Sequence, residues 1–176
     1  MDTVAYLSNL SYLGIFVSLI LSGILIPLPE EAILLATGYL AALGIINLPS
    51  ALLTAFLAVR LGDNLLYHAA LKGRKYVKRF HDKVLGYNFI SKWFKDPESV
   101  HLAIFALRFV VGLRFLSPLY AGFNKVKRKT FVVADTLAVL IYVPIVTLLG
   151  YVFHSHFTTI ITKVGKWRHA IFLIVF

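Results

Sequence analysis

Long apolar runs alternate with short polar breaks along most of this chain. The first run, Leu10 to Ile26, resumes as Ala32 to Ile46 after a break that holds two prolines and two glutamates. Each arm is shorter than the roughly 20 residues that a spanning helix needs. Proline ends a helix, and irregular backbone at membrane depth is tolerated where protein covers it. The pattern predicts a re-entrant hairpin over residues 10–46, with two spanning helices and a surface turn as the alternative.

A longer apolar run follows the hairpin. Residues 49–71 are enough to cross a bilayer and give the clearest predicted span, and Pro49 suits the first turn of a helix. Residues 72–97 then interleave basic residues with aromatic and aliphatic ones. This mixture is typical of an amphipathic segment that lies on the membrane surface.

The second half repeats this arrangement. Residues 101–123 form a broken apolar run with basic clusters on both sides, so the positive-inside rule predicts a second re-entrant hairpin. Residues 131–153 predict a second span with a kink at Pro144, and residues 169–176 predict the start of a final helix. Paired interrupted segments at corresponding positions point to an inverted-repeat transporter. The predicted fold is an all-α membrane protein with two opposed re-entrant helical hairpins and spanning helices in an inverted repeat.

Composition agrees with a single membrane domain over residues 1–176. The chain is 59% hydrophobic, against roughly 45–50% in soluble domains, and its mean hydropathy is +0.81. The formal net charge of +10 comes from short basic blocks beside apolar runs, as in the cytoplasmic flanks of membrane helices. No basic stripe lies on a recognisable nucleic-acid reader motif, so nucleic acid is not an expected partner.

Ionisable side chains inside the apolar runs are the strongest functional signal. Each costs about 2.5–3.5 kcal/mol on insertion scales, so each needs a partner or a function. Six positions qualify, with Asp135 near a helix end as a marginal seventh: Glu30, Glu31, Arg60, Asp63, Arg108 and Arg114.

Arg108 and Arg114 are the candidate anion site. They lie six residues apart, which on an unbroken helix places them about 120° apart. A break at Gly112 would let both guanidinium groups converge on one anion, and the fork of arginine suits phosphate. The alternative is that both arginines pair only with carboxylates.

Arg60 and Asp63 admit two interpretations. They are three residues apart on one predicted helix and can pair with each other. Alternatively, Asp63 pairs with an arginine of the second hairpin. Gly62 beside it would let another helix approach closely.

Glu30 and Glu31 follow Pro29 at the start of the second arm. Carboxylates at this position favour the positive end of the helix dipole, which would explain one of them. A carboxyl group in apolar surroundings also keeps its proton more readily, so the other is a candidate to carry a proton.

No metal, cofactor or enzymatic site is expected. His154 and His156 lie close in the chain, but no third ligand is apparent. HExxH and GxSxG do not occur, so the commonest hydrolase signatures are missing.

Three segments resemble the signature regions of the DedA family, also called the VTT or SNARE-associated domain. They are IPLPEEAILLATGYLA at 26–41, LGDNLLYHAALKGRK at 61–75 and LRFVVGLRFLSPLYAG at 107–122, and the third is the most specific. The resemblance covers residues 10–153. Many members carry another glutamate nine residues before the hairpin acid, where this chain has Ser22, so a two-carboxylate relay would need Glu30 as a substitute.

The resemblance implies two facing hairpins and lipid translocation in the cytoplasmic membrane of a prokaryote. Bacterial members are associated with returning undecaprenyl phosphate across this membrane with the proton motive force, and eukaryotic relatives with phospholipid scrambling. By motif match Glu31 is the hairpin acid, Arg108 and Arg114 are the arginine pair, and Asp63 belongs to the Gly-Asp of the first span. The hairpins themselves involve a set of small and helix-breaking residues: Pro27, Pro29, Gly38, Gly62, Gly112, Pro118 and Gly122.

The leading hypothesis is a lipid transporter that binds a polyprenyl or phospholipid phosphate on Arg108 and Arg114. Its proton-coupling candidates are Glu31, Glu30 and Asp63. The first alternative is a proton-coupled exporter of ions or small cations, in which the carboxylates bind the cation and the arginines are structural. The second is a non-transporting membrane scaffold that recruits partners through the basic segment. A homo-oligomer is compatible with all three hypotheses.

Overall fold

The computed structural model describes residues 2–24, 29–73, 99–110 and 114–155, with side chains from residue 11 onward. Over these residues the chain is all-α, as predicted. The helices are α1 (Asp2–Ile24), α2 (Glu30–Ala42), α3 (Leu48–Lys72), α4 (Ser99–Arg108), α5 (Leu116–Phe123) and α6 (Arg128–Val152). Pro27, Gly112, most of the amphipathic segment 72–97 and the final helix at 169–176 lie outside the described residues.

Helix α1 is longer than the predicted first arm. It begins at Asp2 and not near Leu10, because the polar residues Ser8 and Asn9 do not break a helix as proline does. The next helix begins just after Pro29, whose carbonyl accepts from the amide of Ala32 at 2.9 Å. The first break in the apolar pattern is therefore a real break between two helices.

Local sequence also explains where the later helices begin. The side chain of Asn47 accepts from the amide of Ser50 and caps α3, and Pro49 lies in its first turn. Pro118 lies in the first turn of α5, where its missing N–H breaks no intrahelical bond. Pro144 lies inside α6 without ending it.

The packing of the helices follows the same pattern in the two halves. Helix α1 packs against α3, and α4 packs against α6, so the first arm of each half lies on the long helix of its own half. Helix α2 packs against α6 and α5 packs against α3, so each second arm lies on the long helix of the other half. This exchange brings the two breaks in the apolar pattern toward the same long helices.

Glycines make the exchanged packing close. A Cβ atom on Gly38 of α2 would overlap the backbone of Thr147 in α6, and one on Gly150 of α6 would overlap the backbone of Leu35. Gly122 of α5 lies in the same way against the carbonyl of Tyr67 in α3. At Gly62, by contrast, a Cβ atom would meet α1 at an ordinary 3.6 Å from Ile20 Cα. The second arms are thus held to the opposite long helices by backbone-to-backbone contact.

The outer surface is apolar in stripes. Along α3 the exposed large residues recur every four positions, at Leu53, Leu57, Leu61 and Leu65. Among the described helices, α6 is long and apolar enough to cross a membrane by length and composition. Helix α3 also has 25 residues, but Arg60, Asp63 and Asn64 interrupt its apolar run, so by length and composition alone it is less apolar than α6. That residues 49–71 form a span stays a prediction.

Replacing Gly38 with alanine tests the close crossing of α2 and α6. The added methyl group has no space beside the Thr147 backbone, so we expect Gly38→Ala to lower the free energy of unfolding by about 1–3 kcal/mol, the usual cost of overpacking. Thermal unfolding of the purified protein in detergent measures the effect. The matched control is Gly14→Ala, because nothing lies within 4 Å of a Cβ atom there and alanine is the better helix former. Equal melting temperatures for the two variants would contradict the close crossing.

Candidate functional site

A cluster of charged side chains lies inside the helix bundle. Within the described residues it contains three arginines and four carboxylates that come from α2, α3, α6, the end of α4 and the turn before α5. Its members are Glu30, Glu31, Arg60, Asp63, Arg108, Arg114 and Asp135. We call these seven residues the charged cluster. It includes all six positions that the sequence singled out at membrane depth.

Arg108 is the centre of this cluster. Arg108 is 1% exposed. Its Nη1 pairs with Asp63 and also lies 3.3 Å from Oδ1 of Asp135. Its Nη2 lies 3.4 Å from Oε1 of Glu30. The guanidinium of Arg108 therefore contacts three carboxylates from three helices. Its Nε–H is left without a hydrogen-bond partner among the described residues.

Arg114 reaches the same carboxylate from the other side. Its Nη1 pairs with Oε2 of Glu30, and its Nη2 donates to Oγ of Ser22 at 3.4 Å. Its Nε lies 4.0 Å from Oε1 of Glu31. The Glu30 carboxylate is thus held by one arginine on each oxygen, with Arg108 and Arg114 on opposite sides of the second break. The two guanidinium groups converge on one anion, and that anion is a side chain of the protein.

Arg60 does not form the predicted pair with Asp63. It pairs with Oδ2 of Asp135 on α6, while Asp63 pairs with Arg108. The reason is that α6 packs against α3 and that the side chain of Arg108, at the end of α4, reaches Asp63, so each side chain finds an opposite charge on another helix. The structure has the contact of the second interpretation, in which Asp63 pairs with an arginine of the second broken segment, Arg108.

One member of the charged cluster and two residues that contact it were not among the six main sequence candidates. Asp135 had been only a marginal candidate, yet it is fully buried and divides its two oxygens between Arg60 and Arg108. The hydroxyl of Tyr142 donates to Oε1 of Glu31 at 3.1 Å, and Ser22 accepts from Arg114. Asp135 and Tyr142 are seven residues apart and so lie on one face of α6, a spacing that could have linked them.

The charge balance of the cluster is close to neutral. Three guanidinium groups face four carboxylates, so the formal charge is −1 when all are ionised, and one added proton neutralises it. A buried charge is costly unless it is paired and hydrogen-bonded, so this balance is what makes the cluster compatible with burial. Glu31 has the most exposed carboxylate side chain, at 18% against 1–8% for the other three.

The remaining predicted positions that the structure describes are not members of the charged cluster. Pro29 caps α2 immediately before the two glutamates, and Gly38, Gly122 and Gly62 lie at helix contacts. Pro118 is buried in the first turn of α5. Within the described ranges no group of three or more histidine or acidic side chains is arranged to hold a metal ion.

Comparison with known proteins finds one family model and several bacterial membrane proteins that match most of the chain. The model of a family described as the VTT domain matches residues 28–152. A protein named inner membrane protein from Borreliella burgdorferi is 30% identical over 174 residues, covering 96% of this chain and 83% of its own length. No solved structure matches the chain.

Two further relatives belong to other bacteria. Undecaprenyl phosphate transporter A of Staphylococcus aureus is 24% identical over 179 residues, covering 97% of this chain and 87% of its own length. The uncharacterized membrane protein YbfM of Bacillus subtilis is 25% identical over 154 residues, with coverages of 83% and 92%. The similarity therefore extends over most of this chain and most of each of these two relatives.

Asp135→Asn tests whether the cluster holds its charges in pairs. The variant leaves Arg60 without its carboxylate and weakens the pairing of Arg108, and breaking a buried pair costs about 3–5 kcal/mol. We expect a correspondingly lower melting temperature in detergent. The double variant Arg60→Gln/Asp135→Asn should recover part of the loss because it leaves fewer unpaired charges. Exposed Arg128 provides the control, since Arg128→Gln should change stability by less than about 0.5 kcal/mol. Wild-type stability of Asp135→Asn would contradict a charged, paired Asp135.

Proposed function

The chain belongs to the VTT domain family of membrane proteins, and on this basis we propose that it carries a lipid with a phosphate head group across the membrane. The lipid is a polyprenyl phosphate or a phospholipid, and the location is the cytoplasmic membrane of a prokaryote. The similarity to undecaprenyl phosphate transporter A of S. aureus supports a polyprenyl phosphate. The protein acts as a transporter and not as an enzyme.

The convergence of Arg108 and Arg114 on the Glu30 carboxylate carries this proposal. A phosphate group resembles a carboxylate in charge and in accepting paired N–H donors, so a site that holds one can hold the other. A phosphate monoester such as a polyprenyl phosphate also offers one more non-bridging oxygen than a carboxylate, and Nε of Arg108 is a buried donor without a partner among the described residues. The two arginines therefore form a preorganised anion site in which Glu30 occupies the place of the substrate.

Substrate binding then requires an exchange of partners. While Glu30 is ionised it holds both arginines, and a phosphate must displace it. A proton on Glu30 removes this competition and also brings the cluster to neutrality. Glu31, the most exposed of the acids, exchanges protons with water, and Asp63 keeps Arg108 in place. Proton uptake at Glu30 and Glu31 is thereby linked to phosphate binding.

The packing pattern supports an architecture that gives the head group a path. We propose that residues 10–46 and 101–123 are re-entrant hairpins, that 49–71 and 131–153 are spans, and that the halves form an inverted repeat. In support, each second arm packs on the long helix of the opposite half. The charged cluster lies where both breaks meet these long helices, and the tail of the lipid stays outside along the apolar stripes.

A cation exporter is less well supported. That hypothesis places the transported cation among Glu30, Glu31 and Asp63, but the guanidinium of Arg108 already lies between Glu30 and Asp63. A second positive charge there would meet direct repulsion in a buried site. The scaffold hypothesis depends on the basic segment 72–97, most of which lies outside the described residues.

Transport measurements on Arg114→Gln test the anion site. In proteoliposomes with a proton gradient, we expect the wild type to move undecaprenyl phosphate but not the neutral undecaprenol. Arg114→Gln should lose about tenfold or more of this transport, because a buried charge-assisted contact with the phosphate is lost. Arg114→Lys should recover only part, since lysine has no planar fork.

The matched control for this experiment is Arg128→Gln, which removes an exposed arginine at the start of α6. It should transport like the wild type. Equal transport of both lipids, or normal transport by folded Arg114→Gln, would contradict the phosphate site.

Binding measurements on Glu30→Gln test whether phosphate displaces the Glu30 carboxylate from the two arginines. This variant lacks the internal anion, so we expect it to bind undecaprenyl phosphate more tightly than the wild type at pH 8. Between pH 8 and pH 5.5 wild-type affinity should rise toward that of the variant, because protonation of Glu30 releases the arginines. The lipid phosphate itself titrates near pH 6, and it does so for both proteins, so the ratio of their affinities isolates Glu30. If the ratio of the two affinities stays constant with pH, phosphate does not compete with an ionised Glu30.

A further inference from the structure

Tyr142 contacts charged residues from both halves of the chain. It lies on α6, is 6% exposed, and its hydroxyl donates to Oε1 of Glu31 on α2 at 3.1 Å. Its ring centroid is 5.6 Å from Cζ of Arg108 at the end of α4. Phe109 packs edge-on against the same ring, with centroids 5.9 Å apart. One side chain thus links an acid of the first broken segment to an arginine of the second.

The hydroxyl is the closest polar partner that Glu31 has among the described residues. Nε of Arg114 is 4.0 Å away from the same oxygen, which is beyond hydrogen-bond distance, whereas the Tyr142 hydroxyl is within it. A carboxylate at the partly exposed edge of a cluster would otherwise turn toward water. The hydrogen bond from Tyr142 therefore decides whether Glu31 stays beside Arg114.

The ring has a different role from the hydroxyl. An arginine within about 6 Å of a tyrosine ring is attracted to the electron-rich ring, and this attraction is larger when water is excluded. Arg108 is fully buried, so the ring limits where its guanidinium can lie. The two ends of Tyr142 thus act on two different residues of the charged cluster.

We propose that Tyr142 is a positioning residue for transport: its hydroxyl holds the proton-exchanging Glu31 beside Arg114, and its ring holds Arg108 in the orientation that binds phosphate. This proposal rests on the proposed function, because it assigns Tyr142 a role at the same site. Tyr142 itself need not contact the lipid. Its hydroxyl serves the proton-linked step, and its ring serves binding.

Two substitutions separate these roles in the proteoliposome assay with undecaprenyl phosphate. Tyr142→Phe removes only the hydroxyl, so we expect the maximal rate to fall about tenfold, as for loss of a hydrogen bond to a charged group, with KM within about twofold of the wild type. Tyr142→Leu also removes the ring, so we expect KM to rise about thirtyfold, the effect of losing a buried cation–π contact. A structural defect would lower the amount of active protein without this division between rate and KM.

Tyr67→Phe is the matched control. Tyr67 is also buried, and its hydroxyl donates at 2.7 Å to the carbonyl of Val126, which is not a member of the charged cluster. We expect its maximal rate and KM to equal those of the wild type for the fraction that folds. A second check is the Glu31→Ala background, in which adding Tyr142→Phe should lower the rate less than twofold, because the partner of the hydroxyl is already absent.

The outcomes distinguish the two proposals. If the wild type moves undecaprenyl phosphate but Tyr142→Phe equals it, or if the effects of Tyr142→Phe and Glu31→Ala multiply, the role of Tyr142 is wrong and the proposed function stands. A similar loss in Tyr67→Phe would also overturn the role, since any lost hydroxyl would then suffice. If folded wild-type protein moves no undecaprenyl phosphate, the proposed function fails and the role of Tyr142 fails with it.

Discussion

The contact of the Glu30 carboxylate with two buried arginines determines how the rest of this protein is arranged. Arg108 and Glu30 are each about 1% exposed, and neither charge could be buried alone at an acceptable cost. Both charges can be buried because each is paired. Arg108 pairs with Asp63 and Asp135 on the two long helices, and Glu30 pairs with Arg114 at the second break. The charges therefore require the two broken segments and both long helices to meet at one place.

Helix packing satisfies this requirement through small residues. Gly38, Gly122 and Gly150 allow backbone-to-backbone contact, so each second arm lies directly on the long helix of the other half. Without these contacts the arms would stand farther off, and Glu30 and Arg114 could not reach each other. The apolar side chains beside the cluster divide into two buried groups that share α3 and α6. The charged cluster joins these two groups, so its geometry and the helix packing depend on each other.

Much of this arrangement follows from sequence, and the exceptions have physical causes. The breaks at Pro29 and near Arg114, the all-α fold and the unusual charges are visible because proline and buried charge have strong, local consequences. Family membership is likewise visible in the Arg108 to Gly122 segment and is confirmed by the VTT domain match. Partner choice is not visible: Arg60 pairs with Asp135 rather than Asp63 because another helix supplies the closer carboxylate. The contact of Tyr142 with Glu31 was missed, since its only sequence signal is the seven-residue spacing from Asp135, which had itself been a marginal candidate.

Under the proposed function, the charge balance of the cluster gives a reason for a proton to accompany a phosphate lipid. With all groups ionised the cluster carries a formal charge of −1, and a phosphate would add at least one more negative charge to a site from which water is largely excluded. Coulomb repulsion between such charges is several times stronger than in water, so an ionised Glu30 and a phosphate cannot share the two arginines at low cost. Protonation of Glu30 removes one negative charge, and displacement of its carboxyl group leaves both guanidinium groups for the phosphate. When the phosphate leaves, the arginines again favour the ionised carboxylate, and the proton is released. In the proposed cycle, the same two arginines would make proton uptake a condition of phosphate binding and substrate release a condition of proton loss.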